Sequence, residues 1–247
     1  MENINKVSVI TGSASGIGRE VAILFAKRGY TVACTDINKD LLNQTVSDIK
    51  KDGGKAYGIL ADITKVSDIK NLANEINKRF GKINVLINCA GVIVGIHELV
   101  DYKEEDMDLI LDVNLKGTYR CCKYLLPLIV RHSNSIIINI SSQSGKYPEP
   151  RASIYAATKA AIINFTESLG VELIKDGIKV AVINPGMVDT PIHNQKEEKY
   201  DKKFSAKFLN PIDVAKACFF VVEQSENCLV KELDIIPMSQ RARLIID

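Results

Sequence analysis

Two residues four positions apart, Tyr155 and Lys159, can perform acid–base chemistry together if they lie on a helix. At that spacing both side chains project from one helical face. A phenol is a weak acid with an ordinary pKa of about 10, but a nearby ammonium group and a cationic ligand favour the phenolate and lower that pKa. The spacing therefore predicts that Tyr155 gives a proton to a carbonyl oxygen or takes one from an alcohol.

A third polar residue, Ser142, follows an apolar run at 136–140 that is typical of a buried strand. Open α/β sheets bind ligands at the carboxyl ends of their strands. A hydroxyl group there can hydrogen bond the same substrate oxygen as charge develops on it. Alone, Ser142 is an ordinary turn or cap residue, and Tyr155 with Lys159 is an ordinary surface pair. Their combination indicates a reaction centre.

A glycine-rich turn, Thr11-Gly12-Ser13-Ala14-Ser15-Gly16-Ile17-Gly18, separates the first apolar run from an amphipathic stretch. Its glycines let backbone N–H groups approach a pyrophosphate at the N-terminus of a helix. Their spacing differs from the G-x-G-x-x-G fingerprint, and a tight strand-to-helix turn would also explain them. The turn favours a dinucleotide cofactor once a ribose contact is found downstream.

That contact is predicted at Asp36, which ends the second apolar run, near the spacing at which a carboxylate meets the adenosine ribose hydroxyls. A carboxylate repels the 2′-phosphate of NADP, and neither Ser15 nor Ile37 supplies a cation to attract it. We therefore expect NAD(H) to be preferred, without excluding NADP(H). The alternative interpretation, a turn or helix-capping role for Asp36, is compatible with the same position.

Alternating strands and helices must position these residues. Runs rich in β-branched residues predict seven buried strands, at 7–10, 31–35, 56–60, 85–87, 136–140, 179–183 and 233–236. Amphipathic stretches predict helices at 17–28, 41–51, 66–80, 107–130, 154–175 and 212–223. Such alternation predicts a single doubly wound, Rossmann-like α/β domain over residues 1–247, with a parallel sheet and helices on both faces.

One segment, 190–210, breaks this rhythm with a dense run of charged residues at 196–203. A solvated surface helix is one interpretation of the run. Because the segment follows a strand that leads to the site, a mobile lid over the substrate is the other. The sequence leaves both open.

Composition excludes several classes of function. The 32 basic and 30 acidic residues are interspersed, so no basic stripe indicates a nucleic-acid partner. The N-terminus lacks the features of a secretory signal, and no apolar run approaches the roughly 20 residues of a membrane span. We expect a soluble, cytoplasmic protein without a membrane partner. Six irregularly spaced cysteines predict reduced, mostly buried thiols, and three scattered histidines predict no metal site.

With these motifs in order, the chain resembles the short-chain dehydrogenase/reductase family in its short, single-domain form, from Lys6 to Ile236. The motifs that carry the resemblance are the glycine-rich turn, Asn88-Cys89-Ala90-Gly91, Asn114, Ser142, Tyr155 to Lys159, and Asn184-Pro185-Gly186 with Thr190. The resemblance implies an oxidoreductase that interconverts a secondary alcohol and a ketone or aldehyde by hydride transfer to or from a nicotinamide. The substrate would be a small molecule, and the protein a homotetramer or homodimer built on the helices flanking the Ser142 strand.

The resemblance also implies roles for individual residues. Tyr155 would be the acid and base, Ser142 would orient the substrate oxygen, and Lys159 would bind the nicotinamide ribose and lower the tyrosine pKa. Asn114 would support a water that leads protons from Lys159 to solvent. Cofactor contacts would come from Gly12, Ser15, Gly16, Ile17, Gly18, Asp36, Ile37, Asp62, Ile63, Asn88, Ala90, Gly91, Tyr155, Lys159, Pro185, Gly186, Val188 and Thr190.

Two departures from the family pattern limit the assignment. Cys89 replaces the usual second asparagine of its motif, which we expect to alter a loop contact but not the chemistry. The tail 232–240 lacks the double glycine of many 3-oxoacyl-carrier-protein reductases, so an NADP(H)-dependent 3-oxoacyl thioester reductase is the second hypothesis. A non-enzymatic nicotinamide sensor is a third, although such proteins typically lose the tyrosine or lysine kept here. Substrate-pocket candidates are 92–97, Gln143, Ser144, 148–150, Met187 and the segment from Ile192 onward.

Overall fold

The computed structural model describes residues 6–94, 97–131, 135–192 and 208–239. Within these ranges seven parallel strands form one sheet in the order β3-β2-β1-β4-β5-β6-β7. The strands are β1 (Val7–Thr11), β2 (Thr31–Asp36), β3 (Lys55–Leu60), β4 (Val85–Asn88), β5 (Ile136–Ile140), β6 (Lys179–Pro185) and β7 (Glu232–Ile235). The chain winds outward from β1 to β3 and then returns to β4 beside β1. That reversal opens a crevice at the carboxyl ends of the central strands.

The described helices connect successive strands and cover both faces of the sheet. They are α1 (Gly16–Lys27), α2 (Lys39–Lys51), α3 (Val66–Phe80), α4 (Glu104–Ile110), α5 (Thr118–Leu125), α6 (Ser153–Leu173) and α7 (Pro211–Val222). Side chains alternate along each strand, so Ile10 packs in the layer with Phe25, whereas its neighbour Val9 packs in the opposite layer with Leu72. The predicted doubly wound, Rossmann-like sheet is confirmed.

Two of the seven strands are not buried as predicted. The edge strand β3 is largely exposed, with only Ala56 fully covered, and β7 at the other edge is half-buried to exposed. An edge strand has a neighbour on one side only, so part of its surface meets solvent. The five central strands match the prediction, because their apolar residues are covered on both faces.

The predicted helix at 107–130 is also different in the structure. It begins earlier, at Glu104, and a π-helical turn at Leu111–Gly117 separates α4 from α5. A short 3-10 turn at Leu126–Leu128 follows, so residues 129 and 130 lie outside the helix. Apolar periodicity does not reveal a one-residue change in hydrogen-bond spacing, and such π turns are frequent at functional sites.

The six thiols are free, and four of the six are buried, in agreement with the expectation of mostly buried thiols. Cys34, Cys121, Cys122 and Cys218 are buried, whereas Cys89 is half-buried and Cys228 is exposed. Among the described residues, no cluster of His, Cys, Asp or Glu is arranged to hold a metal ion. No helix in the described ranges is long and apolar enough to cross a membrane.

Candidate active site

A cleft of about 750 Å³ lies at the carboxyl ends of the strands. The glycine-rich turn and Asp36 line one end, and Ser142 and Tyr155 line the other. Every predicted cofactor residue except Asn88 lines this cleft: Gly12, Ser15, Gly16, Ile17, Gly18, Asp36, Ile37, Asp62, Ile63, Ala90, Gly91, Tyr155, Lys159, Pro185, Gly186, Val188 and Thr190. Motifs that lie between Gly12 and Thr190 in the sequence therefore meet in one cavity.

Backbone contacts fix the glycine-rich turn. Gly12 has φ +68°, and a Cβ atom there would lie 2.8 Å from the Ala90 Cα. A Cβ atom at Gly18 would lie 2.1 Å from the Gly12 carbonyl oxygen, well inside van der Waals contact. Both positions therefore require glycine, since the obstructing atoms are backbone and cannot move aside.

The start of α1 fits the pyrophosphate of a dinucleotide. Ser15 is the N-cap residue, yet its side chain does not cap the helix, and the first turn carries no acidic residue. The first N–H groups of a helix lack intrahelical partners and form its positive end. The turn therefore presents donors and a favourable potential to an anion in the cleft. This chemistry matches the phosphates of a nicotinamide dinucleotide.

Asp36 ends β2 at the cleft and is itself anchored by the chain. Its Oδ2 accepts a hydrogen bond from the Ala14 N–H at 3.0 Å, and its Oδ1 accepts one from the Asn38 N–H at 2.9 Å. The N-cap of α2 is Asn38, whose side chain accepts from the Leu41 N–H. Asp36 thus takes part in the turn, as the alternative interpretation held, while it keeps a carboxylate on the cleft wall.

A second acidic residue, Asp62, lines the cleft after β3. Its Oδ1 accepts hydrogen bonds from the Thr64 hydroxyl at 2.6 Å and the Thr64 N–H at 2.9 Å, and the Lys65 ammonium lies 3.5 Å from its Oδ2. Burial acts to raise the pKa of Asp62, but these partners hold it below the ordinary value. The carboxylate is therefore fixed and charged next to Ile63, at the predicted adenine contact.

Asn88 lies beneath the cleft rather than on its wall. Its amide nitrogen donates to the Asn139 Oδ1 at 2.8 Å and to the Cys122 Sγ at 3.2 Å. Asn139 in turn donates to the Thr166 hydroxyl at 2.9 Å. The side chain of Asn88 thus links β4, β5 and α6 instead of facing the cofactor.

Three of the four predicted catalytic residues meet at the other end of the cleft. Ser142 follows β5 and caps a 3-10 turn at Gln143–Gly145, with its hydroxyl accepting from the Ser144 N–H at 3.1 Å. The Lys159 Nζ lies 5.6 Å from the centre of the Tyr155 ring and donates to the Ile140 carbonyl at 3.0 Å. All three side chains line the same cavity.

Burial dominates the acid–base properties of this pair. It lowers the pKa of Lys159 to about 8, and it raises the pKa of Tyr155 to about 12, with Ser142 lowering and Glu149 raising the tyrosine value to smaller extents. The protein groups alone therefore shift the tyrosine pKa upward, opposite to the shift expected from Lys159. A lower pKa would require the positive charge of an oxidised nicotinamide.

Asn114, the fourth predicted residue, is fully buried in the π-helical turn. Its Oδ1 accepts from the Val92 N–H at 2.8 Å, and its Nδ2 donates to the Val92 carbonyl at 2.9 Å. It does not line the cleft but lies just behind Gly91, where a Cβ atom would meet the Asn114 Oδ1 at 3.3 Å and the Lys159 Nζ at 3.6 Å. Asn114 and Lys159 therefore face a common point, which is compatible with the predicted water relay.

The substrate end matches the predicted ranges in part. Val92, Ile93, Gln143, Ser144, Pro148, Glu149, Met187 and Ile192 line the cleft, whereas Val94, His97 and Pro150 do not. Sequence reasoning missed Leu109, Val113, Tyr147 and Ile236, of which the first two share the i, i+4 spacing of one helical face. The ends of the predicted lid are joined, because the Asp189 N–H donates to the Leu209 carbonyl at 2.9 Å. The segment 193–207 lies outside the described residues.

Comparisons with known proteins agree with this geometry. Residues 6–201 match the family model described as short chain dehydrogenase. An uncharacterized oxidoreductase, YxbG of Bacillus subtilis, is 37% identical over 84% of this chain and 78% of its own. Another, SAR2567 of Staphylococcus aureus, is 35% identical over 95% of this chain and 98% of its own.

Solved structures extend the likeness. An actinorhodin polyketide ketoreductase variant with NADPH has a TM-score of 0.87 at 26% identity, covering 95% of this chain and 97% of its own. A 3-ketoacyl-(acyl-carrier-protein) reductase from Brucella melitensis complexed with NADH has a TM-score of 0.85 at 28% identity, covering 96% and 99%. A serine dehydrogenase complexed with NADP+ has a TM-score of 0.86 at 26% identity, covering 95% and 96%.

The sheet, the glycine-rich turn and the Ser142–Tyr155–Lys159 end of the cleft thus define a nicotinamide-dependent oxidoreductase. The chain belongs to the short-chain dehydrogenase/reductase family. As a member, it is an NAD(P)-dependent enzyme that acts on CH–OH groups.

Proposed function

We propose that this enzyme interconverts a small secondary alcohol and the corresponding ketone or aldehyde, with NAD(H) as its preferred cofactor. The observation that carries the proposal is the shared cleft, in which Ser142 and Tyr155 face the cavity that the glycine-rich turn and Asp36 complete. A substrate oxygen beside Tyr155 would lie at the same end as Pro185 and Gly186, the predicted nicotinamide contacts.

Each residue of the predicted tetrad has a task in this reaction. The bound nicotinamide supplies or accepts the hydride. Tyr155 transfers the proton at the substrate oxygen, and Ser142 holds that oxygen by a hydrogen bond. Lys159 places a buried positive charge beside the tyrosine, and Asn114 fixes the Val92 backbone behind it. A water between Asn114 and Lys159 would complete the path of the proton to solvent.

The preference for NAD(H) rests on charge at the ribose end. Asp36 keeps its carboxylate on the cleft wall, held by the Ala14 and Asn38 N–H groups, and Ile37 beside it is exposed and neutral. A 2′-phosphate there would meet a fixed negative charge. The adenosine ribose of NAD offers hydroxyl donors to that carboxylate instead.

The experiment that tests the proposal is a panel of secondary alcohols and ketones followed at the NADH absorbance band, with NADPH in parallel. Tyr155→Phe should lower kcat/KM about 100- to 10,000-fold, because it removes the proton donor and keeps the ring. Tyr57→Phe, at an exposed tyrosine of the edge strand β3 outside the cleft, is the matched control. Cofactor binding by fluorescence quenching should survive in both variants. Full activity in Tyr155→Phe would contradict the acid–base assignment.

The second candidate is reduction of a 3-oxoacyl thioester. It is favoured by the likeness to the Brucella reductase, whose name states that activity and whose structure contains NADH. The absence of a double glycine in the tail counts against it. Acetoacetyl thioester turnover above that of free secondary alcohols would favour this candidate.

We further propose that two or four copies assemble, as the family resemblance implies. The helices α5 and α6 expose Tyr119 and Val171, at 47% and 75%. Sedimentation velocity would test the assembly, and a monomer at micromolar concentration would contradict it.

A further inference from the structure

The substrate end of the cleft carries one acidic residue, Glu149, that the hydride-transfer reaction does not use. It lies on the segment between the 3-10 turn at Gln143–Gly145 and α6, and it lines the same cavity as Tyr155. Its side chain is exposed to the cleft and solvent rather than packed away. A carboxylate at this position can meet the part of a substrate that extends beyond the reacting carbon.

Hydrogen bonds connect Glu149 through Ser144 to Ser142. The Ser142 hydroxyl donates to the Ser144 Oγ at 3.2 Å, and the Ser144 hydroxyl donates to the Glu149 Oε2. A carboxylate only accepts, so this direction is set by Glu149. Two hydrogen bonds in series place the carboxylate within about 6 Å of the Ser142 hydroxyl. That hydroxyl is the proposed partner of the substrate oxygen, and it would turn its proton from Ser144 to a substrate carbonyl.

Charge near Glu149 is not neutralised by any described cation. The nearest basic residue in sequence, Arg151, pairs with Glu98 at 3.1 Å instead. Lys159 is the single basic residue among the described residues that line the cleft, and its ammonium is buried and donates to the Ile140 carbonyl. The negative charge of Glu149 reaches Tyr155, whose pKa it acts to raise. Glu149 is thus an acidic residue of the substrate end that has no ion-pair partner among the described residues.

The other two acidic residues of the cleft differ from Glu149. Asp36 accepts from two backbone N–H groups, and Asp62 from Thr64 with Lys65 beside it. Both are satisfied by the chain at the adenosine end. Glu149 has only a serine hydroxyl as its described hydrogen-bond donor, so it retains acceptor capacity for a ligand.

We propose that Glu149 is a specificity-determining residue that selects alcohols and ketones carrying an ammonium group close to the reacting carbon, and that disfavours carboxylate-bearing substrates. The inference rests on the proposed function, because it assigns the substrate class of the same site. An ammonium group two to four bonds from the carbinol carbon would reach the Glu149 carboxylate while the oxygen contacts Ser142 and Tyr155. A small amino alcohol has that form.

The test compares small alcohols of similar size that share the reacting secondary hydroxyl group and carry a cationic, neutral or anionic group beside it. The first set is 1-amino-2-propanol, 1,2-propanediol and lactate, and the second is 4-amino-2-butanol, 1,3-butanediol and 3-hydroxybutyrate. For the natural enzyme, kcat/KM should fall in the order cation, neutral, anion. A charged hydrogen bond contributes enough that Glu149→Gln should lower the ratio of cation to neutral about 10- to 100-fold and raise the ratio of anion to neutral.

A control variant separates local from general charge effects. Glu226→Gln removes the same charge from an exposed turn after α7, outside the cleft, and it should leave both ratios unchanged. Equal ratios in the natural enzyme and Glu149→Gln, or a preference for the anion, would overturn the inference while turnover kept the proposed function intact.

Binding measurements keep the two hypotheses distinguishable if none of the six compounds is oxidised. Calorimetry of the enzyme–NADH complex should show tighter binding of each amine than of its diol, and Glu149→Gln should remove the difference. That result supports charge selection even without turnover. Equal binding of amine and diol would overturn it. Failure of the proposed function itself would instead appear as no turnover of any alcohol or ketone in the wider panel.

Discussion

At the glycine-rich end of the cleft, backbone atoms touch backbone atoms, whereas at the Tyr155 end the walls are side chains carried by connecting segments. A Cβ atom at Gly18 would overlap the Gly12 carbonyl, so almost no substitution is compatible with that end. At the other end, the lining includes side chains such as those of Pro148 and Met187. Cofactor binding is therefore tightly constrained by geometry, while substrate selection is left to a few replaceable side chains.

The largest effect on the glycine-rich end is expected for Gly18→Ala. The added Cβ would lie 2.1 Å from a carbonyl oxygen, and backbone obstruction of this kind should cost more than about 3 kcal/mol of folding free energy. Cofactor affinity should be lost as well, because α1 can no longer approach the turn. Urea unfolding and NADH titration measure the two effects.

Gly29→Ala is the matched control for that substitution. Gly29 has φ +87° but no atom within 4 Å of an added Cβ, so only the left-handed backbone conformation opposes it, at about 1–2 kcal/mol. The cofactor affinity of the Gly29→Ala variant should equal that of the natural enzyme. Gly18 itself lies in α1 without a positive φ, so a similar loss of cofactor affinity in both variants would show that general destabilisation, rather than the contact with the Gly12 carbonyl, explains the effect of Gly18→Ala.

The same difference explains how much could be predicted from sequence. The glycine-rich turn and the alternation of strands and helices could be predicted, because they depend on local residue types and spacing. The orientation of the Asn88 side chain could not be predicted, since its amide on β4 donates to Asn139 on the neighbouring strand β5. The substrate wall depends on contacts such as Tyr102 OH to the Arg151 carbonyl at 2.9 Å, where Arg151 has the unusual φ of +65°. No residue pattern reveals such a tertiary contact.

The π-helical turn at Leu111–Gly117 is another feature that could not be predicted from the sequence. Asn114 was identified by motif, but its burial depends on the π-helical turn at Leu111–Gly117, which points its amide at both the N–H and the carbonyl of Val92. Apolar periodicity on either side of that turn is the same for an unbroken helix. The role of Asn114 in a proton relay stays a prediction.

A smaller effect at the cofactor end should follow Asp36→Asn. The variant keeps an acceptor for the Ala14 N–H but removes the charge that opposes a 2′-phosphate. We expect the ratio of NADPH to NADH affinity to rise about 10- to 100-fold, the range of a charged hydrogen bond. Fluorescence titrations with both cofactors measure the ratio. Asp40→Asn, an exposed position in the first turn of α2, is the control. An unchanged ratio in Asp36→Asn would remove the basis for NAD preference.

At the Tyr155 end, burial of the Lys159 ammonium should lower the stability of the fold, an effect that the glycine-rich end lacks. Burial holds the pKa of Lys159 near 8, against an ordinary 10.5. Below pH 8 the ammonium is charged in both states, so folding carries its full desolvation cost. Between pH 8 and 10.5 the lysine is neutral in the folded state but still protonated in the unfolded state. The desolvation cost therefore falls progressively over this range and is gone above pH 10.5. Lys159→Met should therefore stabilise the fold by about 1–3 kcal/mol at pH 7.

That gain should shrink as the pH rises from 8 to 10.5, because the natural enzyme then loses the cost that the variant never had. Urea unfolding of both proteins at pH 7 and pH 10 measures the change. Activity should be lost in Lys159→Met throughout. If Lys159→Met were instead less stable at pH 7, the hydrogen bond from Lys159 to the Ile140 carbonyl would outweigh the desolvation cost. Burial of the lysine would then not destabilise the Tyr155 end.

The smallest effect is expected for Cys89→Asn, at the junction of the two ends. Cys89 lines the cleft and packs at the edge of the buried apolar cluster that contains Ile10, and its backbone N–H donates to the Thr11 hydroxyl at 3.0 Å. Burial raises the pKa of its thiol to about 12, so the side chain is neutral, as an asparagine would be. Both kcat/KM and NADH affinity should therefore change less than about threefold, below the effect of losing one hydrogen bond. A tenfold loss in either would show that the thiol itself shapes the cleft, and that side chains as well as backbone constrain the cofactor end.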